Sequence, residues 1–274
     1  MKKVKKFIVD LWHVLRLPEM LILPGNLAFF LILSLAPIIS LFGMIASSLS
    51  LSTDMIVDFI SGAFPEQIME IIEPFFNGSG LSVSNIIFVI VGFYIASNGP
   101  DSIITASNVL YKTENKNYIY RRVKAIFMTI WILILFVFVL LFLAFGSFIL
   151  TKILSFGELG KFIANHYIII TVLKTIFAFA LVFIIIKIIY TLAPDKRIKS
   201  KYVNHGTLFA TCAIVLLTGI YSFYVTNIAR YDVLYGSLAN IAILMFLIYL
   251  ISYVIVLGIA INHNHYEAEM NKKS

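Results

Sequence analysis

The sequence predicts an all-α integral membrane protein with six transmembrane helices. The first two are expected to kink, and an N-terminal interfacial helix precedes them. Three observations carry this expectation. Of 274 residues, 61% are hydrophobic and 13% charged, against about 25% charged in soluble domains. Mean hydropathy is +0.97, and the apolar residues fall into six runs long enough to cross a hydrocarbon core of roughly 30 Å. The basic residues gather between alternate runs, so the net charge of +7 reads as topology and attraction to anionic lipids rather than nucleic acid. The one cysteine, Cys212, lies in an apolar run, which excludes an intramolecular disulfide framework and a multi-cysteine metal site.

Residues 1–19 pattern as an amphipathic helix on the cytoplasmic leaflet. Val4, Phe7, Ile8, Leu11 and Leu15 share one helical face, flanked by Lys2, Lys3, Lys5, Lys6 and Arg16. The apolar run that follows is too long for a signal h-region and shows no small-residue cleavage site. A transmembrane domain then covers 20–262. Its first span is 20–49, with Pro37 placed to kink it. Asn26, Ser34 and Ser40 are its main polar positions.

The 50–85 loop carries Asp54, Asp58, Glu66, Glu70 and Glu73 and no Lys or Arg. Short amphipathic helices at the outer interface fit it, the second starting at Pro65. Asn77-Gly78-Ser79-Gly80 reads as a turn.

The second span is 86–110. A basic segment follows, with Lys112, Lys116, Arg121, Arg122 and Lys124 against Glu114. The third span, 125–150, has no charge and reads as a lipid-facing helix. The fourth, 167–192, contains Lys174 and Lys187, which lie about 220° apart around the axis. The run 193–202 is basic again. The fifth span, 203–228, offers Gly206, Ala210 and Ala213 for close helix approach. The sixth is 236–261, and 263–274 reads as a cytoplasmic tail.

Six spans put both termini on one side. The loops of the opposite side hold Lys152, Lys161 and Arg230 against Asp54, Asp58, Glu66, Glu70, Glu73, Glu158 and Asp232. By the positive-inside rule both termini are cytoplasmic, in a bacterial inner membrane.

The second span holds the stretch of most chemical interest. If helical, Asn98, Asp101, Ser102, Thr105 and Asn108 share one face. A carboxylate near a bilayer centre costs about 2.5–3.5 kcal/mol, so this face must meet protein or water. Pro100 has no N–H, which frees the Ala96 carbonyl and predicts a kink. The face is thus a candidate polar path along the bundle interior. The competing expectation is that its amides and hydroxyls only bond neighbouring helices. Lys187 is a candidate ion-pair partner for Asp101; the alternative is that Lys187 snorkels to the cytoplasmic interface.

No catalytic, cofactor or metal residue is assigned. His263, His265 and Glu267 form H-x-H-x-E, but positions two apart diverge by about 200° on a helix, so a solvated tail is expected. Nucleophile-elbow, P-loop, zincin and Rossmann patterns are absent from the sequence.

Four stretches together resemble the YihY/BrkB (UPF0761) family of bacterial inner-membrane proteins, formerly labelled ribonuclease BN. Ala28-Phe29-Phe30 with Ser34-Leu35-Ala36-Pro37 is similar to its A-[YF]-[YF]…S-L-x-P segment. Ala96-Ser97, Asn108 to Tyr111 and Arg121-Arg122 resemble A-S…L-N-x-x-Y…R. Tyr190 and Pro194, then Gly206, resemble Y-x-x-x-P…G. Tyr235-Gly236-Ser237-Leu238, then Tyr249, Gly258 and Asn262, resemble Y-G-S-L…Y…G…N. The family's E-x-N becomes Ala260-Ile261-Asn262, and the Trp that often precedes the sixth-span Tyr is missing.

The resemblance implies six helices and no agreed reaction. The ribonuclease label fits poorly, because the short cytoplasmic loops lack an acid–base or metal-binding cluster. The first functional expectation is a transporter or lipid flippase or scramblase with a polar path along helix 2. A scaffold that uses the polar face for packing is the alternative, and a membrane-embedded enzyme comes third. Expected partners are membrane lipids, including anionic lipids at the cytoplasmic face, and a lipid headgroup or small polar solute.

Overall fold

The chain is seen in a computed structural model that describes residues 15–16, 18–48, 83–114, 116–135, 167–227 and 237–272. Helix α1 is Glu19–Ser48, α2 Val83–Ala96, α3 Asn98–Leu110 and α4 118–135. Helix α5 is Tyr167–Leu192, a 3₁₀ turn spans Ser200–Val203, α6 is Asn204–Asn227 and α7 is Ser237–Asn271. There is no strand among the described residues. The N-terminal interfacial helix, the outer-loop helices and the link between the fifth and sixth spans lie outside them, as do Tyr235 and Gly236.

Among the described residues three helices are long and apolar enough to cross a membrane: Thr175–Leu192, Ser200–Tyr224 and Ile241–Asn271. Only 17, 22 and 28% of their apolar windows is buried within the protein. Helices that are apolar on their outer faces as well need an apolar medium around them. This is a membrane protein.

Helix α7 lies centrally, packed against α6, α1 and α3. Helix α1 also meets α2 and α3, and α5 packs on α6. The main core gathers Leu27 of α1, Ile103 and Ile104 of α3, Met128 of α4, Ile186 and Tyr190 of α5, Val203 and Ala210 near the start of α6, and Val256 and Ile259 of α7. These residues come from the helix ends that adjoin the basic loops, so the described packing converges where the charges are.

Local structure departs from the expected boundaries at the second span, the third span and the tail. The second span is two helices interrupted at Ser97, and Pro100 lies in the first turn of α3, where its missing N–H is least costly. Helix α1 stays one helix across Pro37. The third-span helix begins at 118, so Arg121, Arg122 and Lys124 ride on its first turns instead of a loop. Helix α7 runs on to Asn271, so the segment expected to be a solvated tail is mostly helix.

Candidate functional site

The predicted polar face of α3 lies at the junction of α2, α3, α4 and the segment after α5. Ser97 interrupts the helix without capping α3; its hydroxyl donates to the Tyr94 carbonyl at 2.8 Å. Arg122 Nη2 donates to that same carbonyl at 2.6 Å, and Arg122 Nη1 donates to Asn98 Oδ1 at 2.8 Å. The Arg122 guanidinium also lies 3.7 Å from the centre of the Tyr94 ring. A buried arginine is tolerable only with such partners.

One turn on, Arg121 Nε donates to Asp101 Oδ1 at 2.8 Å. Asp101 sits in the first turn of α3, where the helix dipole favours a carboxylate. The two side chains are 22 and 20% exposed, so the protein does not fully enclose this pair. Tyr94 and Tyr118 hydroxyls approach to 3.3 Å beside it. Together these contacts clasp the start of α4 onto the α2–α3 break.

Asp101 is therefore paired with Arg121, not Lys187. Lys187 lies over the Phe183 ring of its own helix, 5.8 Å from its centre. Ser102 is buried, and the Thr105 hydroxyl bonds back to the Asp101 carbonyl at 3.0 Å.

Asn108, fully buried, anchors a second cluster. Its Nδ2 donates to Asp195 Oδ2 at 2.8 Å, and its Oδ1 accepts the Asp195 N–H at 2.8 Å. Lys124 Nζ donates to Asp195 Oδ1 at 2.7 Å and to the Ala193 and Pro194 carbonyls at 2.8 and 3.1 Å. A cation thus neutralises the C-terminal end of α5. The Lys116 N–H adds a 3.3 Å bond to Asp195 Oδ2. Burial pushes the Asp195 carboxyl up, but the bonds from Lys124, Asn108 and Lys116 outweigh it and hold the group below its ordinary range. Helix α3 closes with Thr113 N–H on the Asn108 carbonyl and Lys112 N–H on that of Val109, Lys112 taking a left-handed φ of 50°.

A third cluster joins α5, α6 and α7. The Tyr190 hydroxyl donates to the Ile255 carbonyl at 2.8 Å, and the Gly206 N–H donates to Asn262 Oδ1 at 2.7 Å. A Cβ at Gly206 would overlap the Gly258 carbonyl oxygen, and one at Gly258 would overlap the Tyr190 hydroxyl. Helices α6 and α7 cross with backbone against backbone, and α5 reaches α7 through the Tyr190 side chain.

His263 and His265 do diverge, but both pack against neighbours. His263 meets the Tyr111 ring at 5.2 Å, while His265 stacks on His205 at 4.1 Å. Among the described residues no group of three or more His, Cys, Asp or Glu is placed to hold a metal.

The model of the family described as Virulence factor BrkB matches residues 19–274. The chain belongs to the BrkB family. It is similar to the ribonuclease-like protein YfkH of Bacillus subtilis, 30% identical over 250 residues and 87% of each chain. It also resembles a UPF0761 membrane protein of Aeromonas salmonicida, 25% identical over 262 residues, 92% of this chain and 86% of that one. A UPF0761 membrane protein of Pseudoalteromonas translucida is 37% identical over 70 residues, 26% of this chain and 23% of that one. No solved structure matches.

The residues that carry the BrkB resemblance fall largely in these clusters. Asn108, Arg122 and Pro194 belong to the first two, and Tyr190, Gly206, Gly258 and Asn262 make the third. Tyr111 is buried against His263 and Tyr266. Ser34, fully buried, faces Gly99 where α1 meets α3.

Sequence reasoning did not single out Arg121, Arg122, Lys124 or Asp195 as functional. One signal was available for Asp195: it is the lone acid in a basic run.

Proposed function

We propose that this BrkB protein is a six-span inner-membrane transporter or lipid flippase or scramblase, both termini cytoplasmic, with its polar path along α3. The break at Ser97, with Pro100 in the first turn of α3, gives the path a place to bend. The observation that supports the reading is the Asp101–Arg121 pair at a helix break, 20–22% exposed while Asn108 and Asp195 beneath it are buried. Such a pair can exchange partners: Arg121 for the phosphate of a headgroup, Asp101 for an amine or cation. Ser102, Thr105 and Asn108 then supply neutral ligands further along the same face.

A scaffold is the second reading. It is favoured by Asn98, Asp101 and Asn108 each already being bonded to a group from another element. A membrane-embedded enzyme stands third.

Single cysteines at Ser102 and Thr105, in a Cys212→Ser background, separate the first two readings. A path predicts that an aqueous thiol reagent reaches both positions and spares a cysteine at Ile104. A packed scaffold predicts that all three are spared.

A further inference from the structure

The two basic loops form one surface. The Lys116 N–H on Asp195, and Asn108 bonded to both the side chain and the N–H of Asp195, tie Lys116 and the end of α3 to the 193–199 segment. Asp195 is the only acid of 193–202, and it is turned inward onto Lys124 with 1% of its side chain exposed. Ala193, Pro194, Ile198, Tyr202 and Val203 are buried and hold the loop backbone. Lys196, Arg197, Lys199 and Lys201 between them are exposed. Across from them Lys112 and Lys116 are exposed, with Glu114 as the exposed acid of that loop. Of the nearby acids of α7, Glu269 pairs with Lys272 at 2.9 Å, while Glu267 is exposed and contacts the His263 imidazole at 3.3 Å, so Glu114 and Glu267 stand against six exposed cations. Lys196, over the Tyr266 ring at 5.1 Å, links the surface to α7. Cations on a fixed frame bind an anion with less ordering cost than cations on a free loop.

The surroundings select the partner. The loop 193–199 joins the ends of two helices long and apolar enough to cross a membrane, Thr175–Leu192 and Ser200–Tyr224. Beside Lys116, the first turns of α4 expose Tyr118, Ile119, Tyr120 and Val123, and Lys116 lies 4.4 Å over the Tyr120 ring. Nucleic acid docked on the cations would leave this apolar rim in water. A bilayer interface takes the rim and presents phosphates to the cations.

We propose that Lys112 and Lys116 together with Lys196, Arg197, Lys199 and Lys201 form a docking surface for anionic phospholipid headgroups. This rests on the six-span reading for the leaflet it faces. It places headgroups beside the Asp101–Arg121 clasp.

The test uses full-length protein released from nanodiscs of equal phosphatidylglycerol and phosphatidylcholine, with retained lipids counted by native mass spectrometry. The wild type should retain phosphatidylglycerol in excess. Each cation near a membrane surface contributes roughly fivefold, so Lys196→Gln/Arg197→Gln/Lys199→Gln/Lys201→Gln should cut the excess at least tenfold. Lys112→Gln/Lys116→Gln, which leaves the 193–202 frame intact, should cut it severalfold if the quadruple variant does not fold. Lys152→Gln/Lys161→Gln should leave it unchanged. A folded surface variant with the wild-type excess overturns the proposal, as does an equal loss in the Lys152/Lys161 control. So does a short single-stranded RNA that binds the wild type and displaces the lipid. A reversed topology is read separately, as labelling of a Ser200 cysteine from outside with the lipid excess intact.

Discussion

Replacing Lys124 with Met keeps the apolar stem and removes the charge. Asp195 would then be a carboxylate with 1% of its side chain exposed, bonded by Asn108 and the Lys116 N–H but without a counter-ion. Breaking a buried pair from one side costs about 3–5 kcal/mol. Lys124 is itself 15% exposed, so some water reaches the pair and the lower end, about 3 kcal/mol, is expected. Asp195→Asn removes the charge but keeps an amide facing Asn108, and should cost about 1–2 kcal/mol. The double variant strands no charge, so it should cost less than the sum by about 1.5–3 kcal/mol. Reversible unfolding in mixed detergent and dodecyl sulfate micelles measures all four corners of the cycle.

The pH dependence gives a second reading of the same pair. The folded carboxyl lies below its ordinary 3.8. Its stability contribution is therefore complete above that value and lost as pH falls through the folded value. Without Lys124, burial is less opposed and the folded value rises, so the gap between wild type and Lys124→Met should narrow below about pH 4. Costs that add to within about 0.5 kcal/mol would refute the reasoning, because independent sites add and this pair should not.

Further expectations concern the other clusters. Asp101→Asn and Arg121→Gln should each cost about 1 kcal/mol or less, since the pair is only partly enclosed by protein, and the charge swap should recover part of the loss while Lys187→Gln acts independently. Gly206→Ala and Gly258→Ala should each cost roughly 1–3 kcal/mol or more by unfolding, because the added carbon meets backbone or a fixed tyrosine. Gly219→Ala, with nothing within 4 Å, should instead stabilise α6 by roughly 0.5–1 kcal/mol. On intact cells, an impermeant thiol reagent should label a cysteine at Ser79 and spare one at Ser200.

Much of the bundle was legible because apolar run length and helical spacing act within one segment. The spacing of Asn98, Asp101 and Asn108 placed all three at contacts with other elements. Spacing cannot say which element lies opposite, and this is why Lys187 was an attractive partner for Asp101. Arg121, Arg122 and Lys124 read as loop cations because basic residues beside a span are explained by topology alone. The start of α4 at 118 turns Arg121 and Arg122 toward the α2–α3 break and Lys124 toward Asp195. Asp195 lies 87 residues from Asn108, beyond any local pattern. The histidines read as a tail because polar residues end an apolar run, yet Tyr111, Tyr202 and His205 continue the packing of α7 past that point. Tyr190, Gly206, Gly258 and Asn262 carried the family resemblance without a mechanism. Their mutual contact supplies one, a close crossing of α6 and α7 braced from α5 by the Tyr190 side chain.

The most direct test of the proposed path is lipid scrambling by the purified protein in liposomes. It uses a headgroup-labelled lipid, a quencher confined outside, and Asp101→Asn checked for folding. The account predicts bleaching beyond the protein-free half for the wild type and its loss in the folded variant. Bleaching that stops at half for the wild type, with no solute flux under an imposed ion gradient, would contradict it and leave the scaffold reading.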